Sequence, residues 1–270
     1  HNYIDKAISN GASHIISEID LDINIPYTKV NDTSEYQRDI LVKEYGDIIN
    51  KLKIIGVTGT NGKTTSCFLI YQMLRNLGIN AAYIGTIGFY HNDKFIELNN
   101  TTPDILVLYQ LLYSAHNDGC EVVVMEVSSQ ALSYNRLHGI NFDIIGFTNF
   151  TEDHLDYHKT MENYLEAKKL ILNHLNKDSI ICVNKDDEYH NSFNTNSHKF
   201  ITFGNDGDYK IISYSTTPKD TDLVFEYNTT LFNFNIPLTS KFNVYNYLTS
   251  LAIINNLNID ISDIINVTDI

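Results

Sequence analysis

A chain of 270 residues with 43% hydrophobic and 11% aromatic content carries enough apolar material for one large domain or two small ones, which excludes intrinsic disorder. With 19 Lys and Arg against 33 Asp and Glu, the formal charge of −14 argues against nucleic acid or an anionic membrane as partner, and leaves an anionic ligand only a locally positive pocket. Cys67, Cys120 and Cys182 show no metal-ligand spacing, no apolar run approaches the ~20 residues of a membrane span, and no signal peptide opens the chain, so a cytoplasmic enzyme is expected.

Tyr3, Ile4, Ala7 and Ile8 form a helical stripe that Gly11 ends, and residues 13–17 read as a short strand. From Leu52 the pattern becomes strand, loop and helix in alternation. Apolar strands are predicted at 53–57, 81–86, 121–125, 142–148, 179–183 and 199–203, with helices at 64–77, 103–117 and 160–175. Strands separated by helices, several apolar on both faces, predict an α/β fold with a mostly parallel sheet covered on two sides. The stretches 209–214, 222–227 and 231–236 alternate as an antiparallel edge, followed by a helix at 242–255. The chain starts at His1 and closes on a helix-like stretch at 260–270, so it is expected to be a piece of something longer.

Ile54-Ile55-Gly56-Val57-Thr58-Gly59-Thr60-Asn61-Gly62-Lys63-Thr64-Thr65 is a strand, a glycine-rich turn and a helix start, the context a phosphate-binding loop needs. Gly59 and Gly62 allow backbone N–H groups to close around phosphate oxygens, and the helix N-terminus adds its dipole. Lys63 would reach the β- and γ-phosphates and the Thr64 hydroxyl a Mg²⁺ ion. The strict spacing wants glycine at position 57, where this chain has valine. Val122-Val123-Val124-Met125-Glu126 delivers a carboxylate to a strand end, where ligands of open α/β sheets bind, so Glu126 can meet a Mg²⁺ held by Thr64. A second strand end delivers Asp153, His154 and Asp156 to the same rim. Lys168 follows on a helix, and taken singly it reads as a solvated side chain. The run 100–104 reads equally as a helix start with Thr102 as N-cap and Pro103 at N1.

The runs VTGTNGKTT, NNTTPD, MEVSSQAL, FTNFTEDHLDYHKTMENYLEAK and KFNVYN, in this order, resemble the Mur ligase family, and within it the branch that adds the third peptide residue. The resemblance implies the end of a UDP-binding domain at 1–51, an ATP-binding central domain at 52–270, and a C-terminal domain that is missing. It implies ATP and Mg²⁺ as cofactors, with Gly59, Thr60, Asn61, Gly62, Lys63, Thr64, Thr65 and Asn246 around the nucleotide. It makes Lys168 a lysine carbamylated by CO₂, which with Thr64, Glu126 and His154 serves the metal. Lys63, Lys168, Glu126 and His154 are thus the implied catalytic set, and Asn100, Thr101, Thr102, Ser128 and Arg136 the contacts to a UDP-muramyl substrate. Gln130 stands where many relatives have His, and Tyr134 where some have Gln.

The implied activity is that of an ATP-dependent amide ligase. ATP phosphorylates the terminal carboxylate of UDP-N-acetylmuramoyl-L-alanyl-D-glutamate, and a diamino acid displaces phosphate from the acyl phosphate. The partners implied are those two substrates, with no nucleic acid, no membrane and a monomeric state. Another ligase of the superfamily, such as folylpolyglutamate synthetase, and a nucleotide- and UDP-sugar-binding module without turnover are the alternatives.

Overall fold

The computed structural model describes residues 3–92 and 94–268, so Asp269 and Ile270, the end of the expected terminal helical stretch, lie outside the described residues, as does His1. The chain opens with α1 (Ile4–Ser9), a parallel pair of short strands, β1 (Ile15–Ser17) and β2 (Tyr27–Lys29), and a long helix, α2 (Thr33–Ile49). The Asp32 carboxylate starts α2 by accepting from the N–H groups of Ser34 and Glu35 at 2.7 and 2.9 Å. This helix was not foreseen, because it buries only Leu41 and Ile49 and shows little apolar periodicity.

The alternating part runs β3 (Lys53–Thr58), α3 (Lys63–Asn76), β4 (Ala81–Gly85), β5 (Gly88–His91), β6 (Lys94–Ile96) and α4 (Ile105–Asn117). It continues through β7 (Val122–Glu126), α5 (Ser129–Ser133), β8 (Phe142–Phe147), α6 (Leu155–His158) and α7 (Met161–Lys169), which tightens into a 3₁₀ turn up to His174. The expected helix at 160–175 is therefore shorter, and Leu175 already opens β9 (Leu175–Asn184). Then come β10 (Lys199–Gly204), β11 (Tyr209–Thr216), β12 (Thr221–Tyr227), β13 (Thr230–Ile236), α8 (Lys241–Asn255) and α9 (Ile261–Asn266).

The main sheet has the order β13-β12-β11-β10-β9-β8-β3-β7-β4-β5-β6. All pairings from β11 to β4 are parallel, and antiparallel hairpins extend both edges. The antiparallel tail agrees with the sequence expectation; the β5–β6 hairpin is an addition. Two apolar cores sandwich the sheet, one built with α3, α8 and α9, the other with α2, α4, α5 and α7. Strand β3 lies between β7 and β8, and every residue of it except Lys53 is buried. The connection out of β3 runs toward β4 and the one out of its neighbour β8 toward β9 on the opposite side, so a crevice opens at the carboxyl ends of these two strands.

Candidate functional site

The turn between β3 and α3 sits in that crevice. Val57 is fully buried and pairs with Glu126 on one side and Gly146 on the other, so position 57 belongs to the sheet and the turn begins two residues later. Gly59 and Gly62 have φ of +144° and +85°. A Cβ on Gly59 would overlap the Thr148 hydroxyl, and one on Gly62 the Asn246 side-chain oxygen, so both positions need a bare Cα. No side chain caps α3, which leaves its first N–H groups to face the crevice. The end of β8 braces the turn from outside. Asn149 accepts from Thr60 N at 2.8 Å through its carbonyl and from Asn61 N at 3.0 Å through its side chain, while Thr148 Oγ1 donates to Asn61 O at 2.6 Å.

Two cations meet on one carbonyl. Lys63 Nζ donates to Gly59 O at 2.9 Å and to Thr60 O at 2.8 Å, and Lys168 Nζ donates to the same Gly59 O at 2.8 Å. Lys168 is only 1% exposed, which corrects its reading as a solvated side chain: the turn and the Tyr164 ring, 4.4 Å from its nitrogen, enclose it. Burial first, and the Lys63 charge second, hold its pKa well below the ordinary lysine value. Burial lowers Lys63 as well, against the opposing pull of Glu126.

Glu126 is fully buried and saturated with donors. Its Oε1 accepts from the Tyr83 hydroxyl at 2.5 Å and Thr86 N at 2.8 Å, and its Oε2 from the hydroxyls of Thr64 at 2.8 Å and Thr86 at 3.2 Å. Burial and the adjacent carboxylate raise Tyr83 far above the usual phenol range, which keeps it a donor. A hydroxyl and a carboxylate facing each other at the mouth of the glycine-rich turn fit Mg²⁺, a hard cation that takes one or two protein oxygens. Among the described residues no three His, Cys, Asp or Glu side chains cluster for a metal. The expected metal set therefore divides: Thr64 and Glu126 touch, whereas His154 and Lys168 line the neighbouring cavity. His154, with φ +53°, is half-exposed, 3.6 Å from Asp153 and edge-on to Tyr164.

That cavity, about 240 Å³, is polar and gathers Lys63, Asn100, Thr101, Thr102, Ser128, Gln130, Arg136, His154 and Lys168. All five residues expected to contact substrate thus share one space. Thr102 is not an N-cap: α4 starts two residues beyond Pro103, with Asp104 as its cap residue, and Thr102 is buried with its hydroxyl donating to Glu126 O at 2.8 Å and accepting from Ser128 N at 3.1 Å. Thr102→Val should therefore lower stability by about 1–3 kcal/mol, read as a lower urea midpoint at unchanged slope. Arg136 donates to Thr102 O at 2.9 Å and pairs with Asp104 at 3.0 Å, so it is anchored at the rim. Tyr134 stays exposed, its ring tilted against that of Tyr157 and centred 5.6 Å from the Arg136 guanidinium.

On the other side of the turn a cavity of about 570 Å³ is lined by Asn61, Gly62, Asn149, Asp186, Lys241, Phe242, Tyr245 and Asn246. Asp186 accepts there from Tyr245 at 2.9 Å, and Asn246 donates to Asn243 at 3.0 Å. Thr65 is elsewhere, in a small cleft with Phe68, Leu69 and Leu238. Sequence reasoning missed Tyr83 and Thr86; the available signal was a phenol inside the otherwise apolar strand 81–85, beside the strand that ends in Glu126.

The Mur ligase middle-domain family matches residues 57–254. The UDP-N-acetylmuramoyl-L-alanyl-D-glutamate--2,6-diaminopimelate ligase of Phocaeicola vulgatus is 43% identical over 191 residues, 70% of this chain and 40% of that protein. The enzyme numbered 1 under the same name in Clostridium acetobutylicum is 38% identical, over 98% of this chain and 55% of its own length. A solved structure of a ligase of that name superimposes with a TM-score of 0.82 at 28% identity, covering 99% of this chain and 56% of that one. The MurF ligase of Thermotoga maritima in complex with ADP shares the fold, with a TM-score of 0.69 at 22% identity over 98% of this chain and 59% of its own. The chain spans about half the length of the relatives it matches. With the sheet order, the glycine-rich turn and the matched span agreeing, this chain belongs to the Mur ligase middle-domain family.

Proposed function

We propose that the chain is the nucleotide-binding part of an ATP-dependent ligase that joins a diamino acid to UDP-N-acetylmuramoyl-L-alanyl-D-glutamate in peptidoglycan precursor synthesis. The observation that carries this reading is the convergence of Lys63, Lys168, Thr64 and Glu126 around one glycine-rich turn set between two cavities. Relatives aligned over nearly the whole chain are named as ligases of this dipeptide substrate and 2,6-diaminopimelate, so that diamino acid is the first acceptor to try. Residues 52–270 are proposed as the central domain and 1–51 as the end of a UDP-binding domain, in a cytoplasmic monomer.

In this reading the larger cavity takes the adenosine of ATP, with Asn246 at its base, and the first turn of α3 receives the phosphates, with Thr60, Asn61 and Thr65 in the same run. Lys63 exchanges its bonds to Gly59 O and Thr60 O for the transferred phosphoryl group and offsets its charge. Thr64 and Glu126 would hold Mg²⁺, which would supply neutralisation of phosphate charge. The polar cavity positions the substrate carboxylate, with Arg136, Ser128 and Asn100–Thr102 as the grip, in line with the phosphoryl group. Lys168, whose uncharged form burial favours, would add its amine lone pair to the carbon of CO₂ and release a proton, and the resulting carbamate would sit with His154 as a ligand for a second cation. Isothermal calorimetry should show ATP binding that strengthens with Mg²⁺; absence of binding overturns the reading. Under ¹³C-labelled bicarbonate a carbamate resonance is expected in the wild type and absent from Lys168→Ala, and an equal signal in both would remove the carbamate from Lys168.

A further inference from the structure

We infer that Tyr83 is a positioning residue, whose hydroxyl fixes Glu126 so that one carboxylate oxygen is presented to a Mg²⁺–nucleotide beside Thr64. The inference rests on the proposed Mg²⁺–nucleotide reading of the loop and adds a residue that neither the loop pattern nor the strand-end acid points to.

The two oxygens of Glu126 are held by different kinds of donor. Oε1 is tied to the Tyr83 phenol and to a main-chain N–H, that of Thr86. Oε2 is met by two threonine hydroxyls, of Thr64 and Thr86, whose protons rotate freely about the C–O bond. A cation approaching Oε2 needs only those hydroxyls to turn, whereas Oε1 stays fixed. The carboxylate thus has an anchored oxygen and an available one.

The anchor is rigid. The Tyr83 side chain is fully buried, with Phe68 edge-on at 5.5 Å and Tyr90 at 6.1 Å between ring centres, so the phenol oxygen has no alternative position. The strand makes room for it. A Cβ at Gly85 would overlap both the Tyr83 oxygen and Glu126 Oε1, so the contact requires the bare Cα two residues along the same strand. Without the hydroxyl, Oε1 keeps only the Thr86 N–H, and the carboxylate regains rotation about its terminal torsion, whose wells are broad. Partners that orient a metal-holding group typically contribute 10–100-fold to metal affinity.

The test is Tyr83→Phe in this chain, which keeps the ring contacts and removes one oxygen. ADP binding is measured by calorimetry across a Mg²⁺ series and again in EDTA. The Mg²⁺ midpoint should rise roughly tenfold while the affinity in EDTA is unchanged, a split that loosened packing would not produce. In a Glu126→Gln background, Tyr83→Phe should shift the midpoint no further, since the effect runs through that carboxylate. An unmoved midpoint, or equal weakening with and without Mg²⁺, overturns the role of Tyr83 and leaves the nucleotide reading standing. Nucleotide binding by the wild type that is indifferent to Mg²⁺ overturns the metal reading itself. Should Tyr83→Phe not fold, Gly85→Ala presses on the same contact from the strand, and an unmoved midpoint there is equally decisive against the inference.

Discussion

Lys63→Ala is expected to weaken ATP binding by about a hundredfold or more, with the melting temperature nearly unchanged. Lys63 is half-buried and its two present acceptors are main-chain carbonyls, Gly59 O and Thr60 O. Each charge-assisted bond it would transfer to a phosphate oxygen contributes about 1.5–3 kcal/mol, and a single one at the upper end, or two at the lower, gives two decades at ~1.4 kcal/mol per decade. The fold does not need the ammonium. Gly59 O keeps its bond from Lys168, and removing a partly buried charge also removes the desolvation that lowers the Lys63 pKa. Calorimetry with ATP and a thermal melt of the same sample check both halves. Wild-type affinity in the variant would return this turn to an ordinary β–α connection. A large drop in melting temperature would show that the lysine holds the turn together.

The parallel strands were legible because they are apolar on both faces and bounded by helix signals; β3, β7 and β8 match expectation to within a residue or two at each end. The strand β6 was not, since all three of its residues are exposed and carry no alternation. The chemistry divides in the same way. Gly59, Gly62, Lys63 and Thr64 announce themselves by spacing, and Glu126 by ending a strand. Tyr83 and Thr86 acquire their meaning only from the pairing of β4 with β7, which brings them to a carboxylate some forty residues away. Thr148 and Asn149 brace the turn across the neighbouring strand β8, again through register that no local pattern encodes. Lys168 is the clearest case. Its helix has polar residues all along it, and only the docking of α7 against α5 and the turn shows that this position faces inward.

That burial leads to a prediction of opposite sign to the usual one for a site residue: Lys168→Met should make the protein more stable. A methionine follows the same unbranched path as the lysine stem, with its sulfur in place of Cδ and its methyl in place of Cε, and keeps an apolar, polarisable side chain beside the Tyr164 ring. Gly59 O retains a donor in Lys63. What disappears is a buried amine that forms no ion pair among the described residues, and replacing even paired buried charges by apolar side chains gains about 1–4 kcal/mol. The pH dependence identifies the cause. The folded-state pKa of Lys168 lies well below the ~10.4 of an unfolded lysine, so between the two values the unfolded chain binds more protons than the folded one. Wild-type stability then rises with pH through that window, by linkage, and the Met variant lacks this term. The gap between the two proteins should be largest near and below neutral pH, and close as the pH approaches ~10.4. Urea unfolding in CO₂-free buffer at a series of pH values measures it directly. A gap that does not vary with pH would mean that packing, not the proton, sets the difference. A destabilised Met variant at neutral pH would mean that the ammonium's bond to Gly59 O outweighs the burial of its charge.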